Sequence, residues 1–210
     1  MRPIPSRLLI VTDRHQCQRC LEDVVQEVAS NGAKWFWLRD RDMDSTDRYK
    51  LAIRLMSIIG KTGGYLSVGA DIDLARKLVV AAVHLRLVYE VESARRILGR
   101  EALVGVSAHS VADVLNAKTA GADYVTLSPI YPTASKLGYG PCLGTAAIEA
   151  AQNVGIPVIA LGGVNMDNAP LCIEAGAAGV AVMGEIMRSP DPAMIVSRFL
   201  RVISRDLRAI

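Results

Sequence analysis

The residues best suited to chemistry stand just after short apolar runs. Leu161-Gly162-Gly163-Val164 and Val182-Met183-Gly184 close two such runs late in the chain. Glycines in those places let backbone N–H groups point at an anion, backed by a helix N-terminus. A phosphate held around Gly162, Gly163, Met183 and Gly184 is the expectation; plain tight turns are the alternative. A third run passes into Ser128-Pro129-Ile130-Tyr131-Pro132-Thr133-Ala134-Ser135-Lys136, the start of the longest irregular stretch. Thr133, Ser135 and Lys136 there suit a phosphate or diphosphate ligand. Gly138 and Gly140 would let the loop close over it. The alternative is a solvated loop whose hydroxyls satisfy only local backbone. Arg39, Arg41 and Ser107 also follow apolar runs and complete the phosphate-binding set. Cys17 and Cys20 form a lone C-x-x-C with His15 before it, without the second pair that zinc spacing requires. Trp35 and Trp37 alternate with Phe36, so both face one side of their strand.

The elements that must position these residues are legible in the apolar pattern. The runs are Leu8–Thr12, Trp35–Arg39, Tyr65–Val68, Ala82–Leu85, Leu103–Ser107, Tyr124–Ser128, Pro157–Leu161 and Gly179–Met183. Amphipathic stretches lie between them. Leu21, Val24, Val25 and Val28 share a helical face; Leu51, Ile53, Leu55 and Ile58 or Ile59 do so more loosely. Val111, Val114, Leu115 and Ala117 form another, and Met194, Val196, Phe199, Leu200 and Ile203 the last. With 210 residues, each strand–helix unit has about 26, so the loops are short. Continuously apolar strands indicate a parallel sheet buried on both faces. The expected fold class is α/β, a single (β/α)8 TIM barrel spanning residues 1–210. An open doubly wound sheet is the runner-up, disfavoured because no G-x-G-x-x-G follows the first strand. In such a barrel the chemistry sits where strands end and βα loops begin.

Composition narrows the partners. Hydrophobic residues make up 51% and charged residues 21%, which excludes general disorder. Lys plus Arg is 24 against 21 Asp plus Glu, a net charge of +3 without a basic run, so no nucleic-acid partner is expected. No apolar stretch is long enough to span a membrane. The first ten residues carry no export signal, so a cytoplasmic protein with its 4 cysteines reduced is the expectation.

Several motifs resemble those of the thiamin phosphate synthase and TenI family. Tyr124-Val125-x-x-Ser128-Pro129-Ile130-Tyr131-Pro132-Thr133-x-Ser135-Lys136 is similar to its strand-6 motif. Gly105-Val106-Ser107-x-His109-Ser110, Ile159-Ala160-Leu161-Gly162-Gly163-Val164 and Ala175-Gly176-Ala177-x-Gly179-Val180-Ala181-Val182 also match. Leu38-Arg39-Asp40-Arg41 resembles the strand-2 motif, usually Gln-Leu-Arg-Glu-Lys. Order and spacing agree from about Leu8 to Met187. The resemblance implies a (β/α)8 barrel with a thiazole-phosphate site at its last strands, and so a small phosphorylated ligand.

The departures from that pattern bear on activity. The synthase joins a pyrimidine methyl diphosphate to thiazole phosphate, and magnesium on hard carboxylate oxygens neutralises the leaving diphosphate. The family draws those carboxylates from Asn-Asp-Arg after strand 3 and Gly-Gln-Glu-Asp after strand 4. Here the two places read Gly69-Ala70-Asp71 and Arg86-Leu87-Val88-Tyr89. The strand-2 glutamine is Trp37 and the lysine is Arg41. No metal site is therefore expected, and no cofactor, with magnesium only under a synthase alternative; Asp71 or Asp73 would serve it through a loop shift. The TenI branch isomerises a thiazole phosphate carboxylate by proton transfer, with a histidine at the position of Pro129. His109 or His84 would have to replace it. His84 alternates within a strand and is expected to plug the barrel. His109 precedes Ser110, and a plain helix-start role is equally open to it. The catalytic candidates are His109 and Lys136. The expected function is TenI-like binding or isomerisation of a phosphorylated thiazole in thiamin metabolism. The alternatives are a synthase with atypical ligands and a non-catalytic regulatory relative. A homodimer is left open.

Overall fold

The computed structural model describes residues 1–80, 82–133 and 141–204. Among them, parallel strands β1 (Leu8–Val11), β2 (Trp35–Leu38), β3 (Tyr65–Gly69) and β4 (Ala82–Leu85) pair in chain order. They continue through β5 (Leu103–Ala108), β6 (Tyr124–Leu127), β7 (Val158–Leu161) and β8 (Gly179–Val182). β8 returns to pair with β1, Leu9 opposite Ala181, so the sheet closes into a barrel and the open-sheet alternative falls. Each strand begins and ends within one residue of the apolar run that predicted it.

The connecting helices are α1 (Leu21–Ser30), α2 (Ser45–Gly60), α3 (Ile72–Lys77), α4 (Glu90–Leu98) and α5 (Val111–Thr119). They continue as α6 (Gly144–Gln152), α7 (Ala169–Glu174), α8 (Gly184–Met187) and α9 (Pro192–Ser204). Local chemistry starts three of them. The Asp44 carboxylate accepts from the N–H groups of Thr46 and Asp47, Asp71 accepts from Leu74, and Ser110 accepts from Asp113. Each satisfies backbone donors that a helix start leaves open.

Period-two alternation sorts the strand side chains into two layers. Leu9, Val11, Trp35, Trp37, Ala82, Leu103, Tyr124, Ile159 and Ala181 form the inner cluster that fills the barrel. Leu8, Ile10, Phe36, Leu38, Val83, Leu85 and Val104 belong to the outer core with the helices. Trp35 and Tyr124 meet edge to face inside, ring centroids 4.8 Å apart. The helix stripes are narrower than the sequence suggested. Leu51, Leu55 and Ile59 are buried on α2, Val114 and Ala117 on α5, and Val196, Phe199 and Ile203 on α9. Ile53, Leu115 and Met194 are exposed. Each lies off the i, i+3, i+4 row that its helix turns toward the sheet.

Candidate functional site

At the carboxyl ends of β1 and β2 the chain builds a pinned corner. Asp40 is buried, 3% exposed. Its carboxylate accepts from Thr12 Oγ1 at 2.5 Å and from the Arg14 backbone N–H at 2.7 Å. Thr12 Oγ1 in turn accepts from the Arg39 backbone N–H at 3.1 Å. The strand-2 carboxylate thus ties two strand ends together. The Arg39 side chain is left half-exposed at the mouth, 3.6 Å from Asp13. Arg41 is exposed beyond it. Arg14 and His15 both bond Asp42 from the side, and those bonds hold its carboxyl well below the usual carboxylate range.

The barrel floor is polar at its centre. His84 is buried, as expected of a plug, with Nδ1 3.0 Å from the Tyr124 hydroxyl. Its Nε2 lies 3.2 Å from the hydroxyls of Ser107 and Thr126. The Trp37 ring tilts against the imidazole, centroids 4.0 Å apart. Trp37 belongs to the inner cluster of the barrel and is 8% exposed. Ser107, expected on phosphate, has a hydroxyl that touches His84, so it stands between the plug and the mouth. The Tyr124 phenol, fully enclosed, is pushed far above its ordinary value by burial.

His109 is exposed and its neighbourhood is a helix start. Its backbone N–H donates to Asp113 at 2.9 Å, while Ser110 caps α5. The ring Nδ1 lies 2.6 Å from the Ser128 carbonyl. A carbonyl only accepts, so Nδ1 carries the proton. The candidate base is thus tethered to the end of β6 by one nitrogen.

The glycines after β7 have a packing role that the sequence placed second. Gly162 and Gly163 have φ of +92° and +66°. A Cβ on Gly162 would stand 2.9 Å from Pro129 Cα, and one on Gly163 2.4 Å from the Pro132 carbonyl oxygen. The segment after β6 lies directly on them: Ile130 N–H donates to Leu161 O and Tyr131 N–H to Gly162 O. Met183 is half-buried and precedes α8, which Gly184 opens. Arg188, one turn later, lies with Nη1 2.4 Å from where a Gly184 Cβ would be. Sequence reading missed this arginine; its signal is the i, i+4 spacing from the glycine. Thr133 ends the described part of the β6 segment. Ser135 and Lys136, and the loop 134–140 with its glycines, lie outside the described residues.

The place of a metal is filled otherwise. Asp71 caps α3 and pairs with Arg48 at 2.9 Å. Arg48 is buried and also donates to Gly69 O at 2.7 Å. Asp73 faces Arg76 at 3.8 Å. Ala70 and Tyr89 bring no carboxylate. Trp37 Nε1, where the family has an amide, is a buried donor without an acceptor, 2.5 Å from where a Gly69 Cβ would stand. A donor N–H repels a cation. Among the described residues no three His, Cys, Asp or Glu side chains come together as a metal would need. The residues present do not fit magnesium. The two thiols of the C-x-x-C are held toward their protonated forms. Burial pushes the Cys17 thiol up to about 11, and Cys20 is raised by its bond to Glu22.

These features define a (β/α)8 barrel whose candidate site lies at the carboxyl ends of its strands, glycine-built on the β6–β8 side and arginine-rich on the β2–β4 side. Known proteins narrow the class. The sequence profile of the thiamine monophosphate synthase family matches residues 8–186, and the chain belongs to that family. It is 35% identical to a thiamine-phosphate synthase of Roseiflexus sp. (strain RS-1), covering 98% of this chain and 89% of that protein. It is also 35% identical to a putative thiamine-phosphate synthase of Geobacter sulfurreducens, covering 91% of this chain and 92% of that one. In fold it is similar to a thiamine phosphate pyrophosphorylase from Pyrococcus furiosus, with a TM-score of 0.85, 24% identity and 96% of each chain covered. Among the described residues no helix is long and apolar enough to cross a membrane.

Proposed function

We propose that the protein is a transferase of the thiamin phosphate synthase type, in place of the TenI-like isomerase that the departing motifs suggested. It binds a thiazole phosphate at the β6–β8 side of the mouth and a pyrimidine methyl diphosphate at the β2–β4 side. A bond forms between the pyrimidine methylene and the thiazole, the methylene–oxygen bond breaks, and the electron pair leaves with diphosphate. The observation that carries this reading is the family match across residues 8–186 together with relatives named for that synthesis. Pro129 at the isomerase's histidine position also weighs against proton transfer.

In this reading the amides near Gly163 and Gly184 receive the thiazole phosphate, with Arg188 beside them and Thr133, Ser135 and Lys136 over it. Ser107 and the His84–Trp37 floor bound the reacting centre. Arg39 and Arg41 face the diphosphate side.

The test is incubation with both substrates, with magnesium and with chelator, followed by chromatography for thiamin phosphate. Product supports the transferase. A second reading, a TenI-like binder or isomerase, is favoured by one observation: Ala70 and Tyr89 stand where the family's metal carboxylates belong, and Arg48 occupies Asp71. Thiazole phosphate binding without any product would establish that reading instead.

A further inference from the structure

The poor fit to magnesium leaves a charge problem, because a diphosphate needs positive charge at the β2–β4 side of the mouth. Arg86 is the first residue after β4 and is exposed. Two residues earlier His84 is buried in the barrel with its ring tilted against Trp37, centroids 4.0 Å apart. Alternation continues the same direction outward, so Arg86 leaves β4 above His84 as Arg39 leaves β2 above Trp37. The strand between them, β3, ends at Gly69, and Ala70 follows it. Neither carries a side chain long enough to reach between the two arginines. β2 and β4 are two strand spacings apart, about 10 Å.

The carboxylates nearby are otherwise engaged. Asp71 holds Arg48 and the start of α3, Asp40 is buried under Thr12 and Arg14, and Glu90 accepts from the Leu87 N–H. Asp13 lies near Arg39, at 3.6 Å. Arg86 makes no ion pair among the described residues. A guanidinium stays charged at every working pH and bonds phosphate oxygens in a forked geometry.

We infer that Arg86 takes the place of the divalent cation here, binding the phosphate oxygens of a diphosphate directly. This rests on the transferase reading for its biological ligand, but it is testable apart from it. The full chain is titrated with inorganic diphosphate by calorimetry, in chelator and in magnesium at fixed ionic strength. The wild type binds in chelator, and magnesium does not tighten it. Arg86→Ala weakens binding about tenfold or more, the loss expected of a charge-assisted hydrogen bond. Arg86→Lys recovers part of it, which also guards against a fold defect, and Arg100→Ala on the opposite face changes nothing. Binding that appears only with magnesium, no binding in either condition, or an Arg86→Ala variant that binds like the wild type overturns the inference. The two proposals fail separately. A protein that makes no thiamin phosphate but loses diphosphate with Arg86→Ala keeps the inference and sinks the transferase. Magnesium-dependent synthesis indifferent to Arg86→Ala does the reverse.

Discussion

The two sides of the barrel mouth are built from different materials. On the β6–β8 side the surface is backbone: Gly162, Gly163 and Gly184, with the segment Pro129 to Pro132 seated on the first two. On the β2–β4 side it is side chain: Trp37, Arg39, Arg48, Asp71 and Arg86. The family motifs match on the first side and depart on the second. A backbone surface is held by packing, since any Cβ at Gly163 strikes the segment Tyr131–Pro132. It cannot drift without breaking the fold. A side-chain surface can be rebuilt one residue at a time, as Trp37 over Gly69 shows, while the strands beneath stay in register.

The largest expected effect breaks the backbone side. Gly163→Val puts a β-branched residue at φ +66° with its Cβ 2.4 Å from the Pro132 carbonyl. We expect a loss of about 3–5 kcal/mol in urea unfolding, from backbone strain plus the clash. A loss below about 1 kcal/mol would mean the segment after β6 is not held by this contact. Next is Trp37→Gln, which restores the family's residue. It removes the ring from His84 and leaves part of its volume empty, at a cost of about 2–3 kcal/mol. It should not create magnesium dependence, because Ala70 and Tyr89 still lack carboxylates. Chelator-sensitive activity in that variant would show that one side chain alone had displaced the metal.

The same contrast explains what the sequence made legible. The strands were readable because each is a short apolar run with turn residues beside it, and parallel barrel strands are apolar on both faces. The glycine pair was readable as a candidate site, but its packing under Pro129 and Pro132 joins residues some thirty positions apart and leaves no local signature. The pairing of Arg48 with Asp71 is hidden for the same reason, as is the meeting of Ser107, Thr126 and Tyr124 around His84. Ile53, Leu115 and Met194 misled because an apolar type is weaker information than its angle on the helix.

A smaller effect sharpens the phosphate assignment. Arg188→Ala should lower affinity for thiazole phosphate by about 1–2 kcal/mol and leave the melting temperature unchanged, since the side chain is exposed over Gly184. Lys136→Ala should act similarly. Equal affinity in both variants would leave the phosphate to the backbone amides alone.

The smallest effect concerns Cys17, at the seam between the two sides. Its sulfur packs 3.6 Å from Met187 Sδ of α8, and burial raises the thiol to about 11. A raised thiol value means that the folded state holds its proton more tightly than the unfolded chain. Nothing is gained at neutral pH, where both states are protonated. Stability falls as pH climbs above the unfolded value near 9, by well under 2 kcal/mol, because the half-exposed group is partly screened. Cys17→Ser should therefore flatten the loss of stability between pH 9 and 11 while changing little at pH 7. Thiol-reagent kinetics at pH 8 give the companion measurement, with exposed Cys142 as the faster-reacting reference. Rapid labelling of Cys17 at that pH would mean that the loop after β1 lifts off α8. The backbone-built side of the mouth would then be less fixed than its glycines imply.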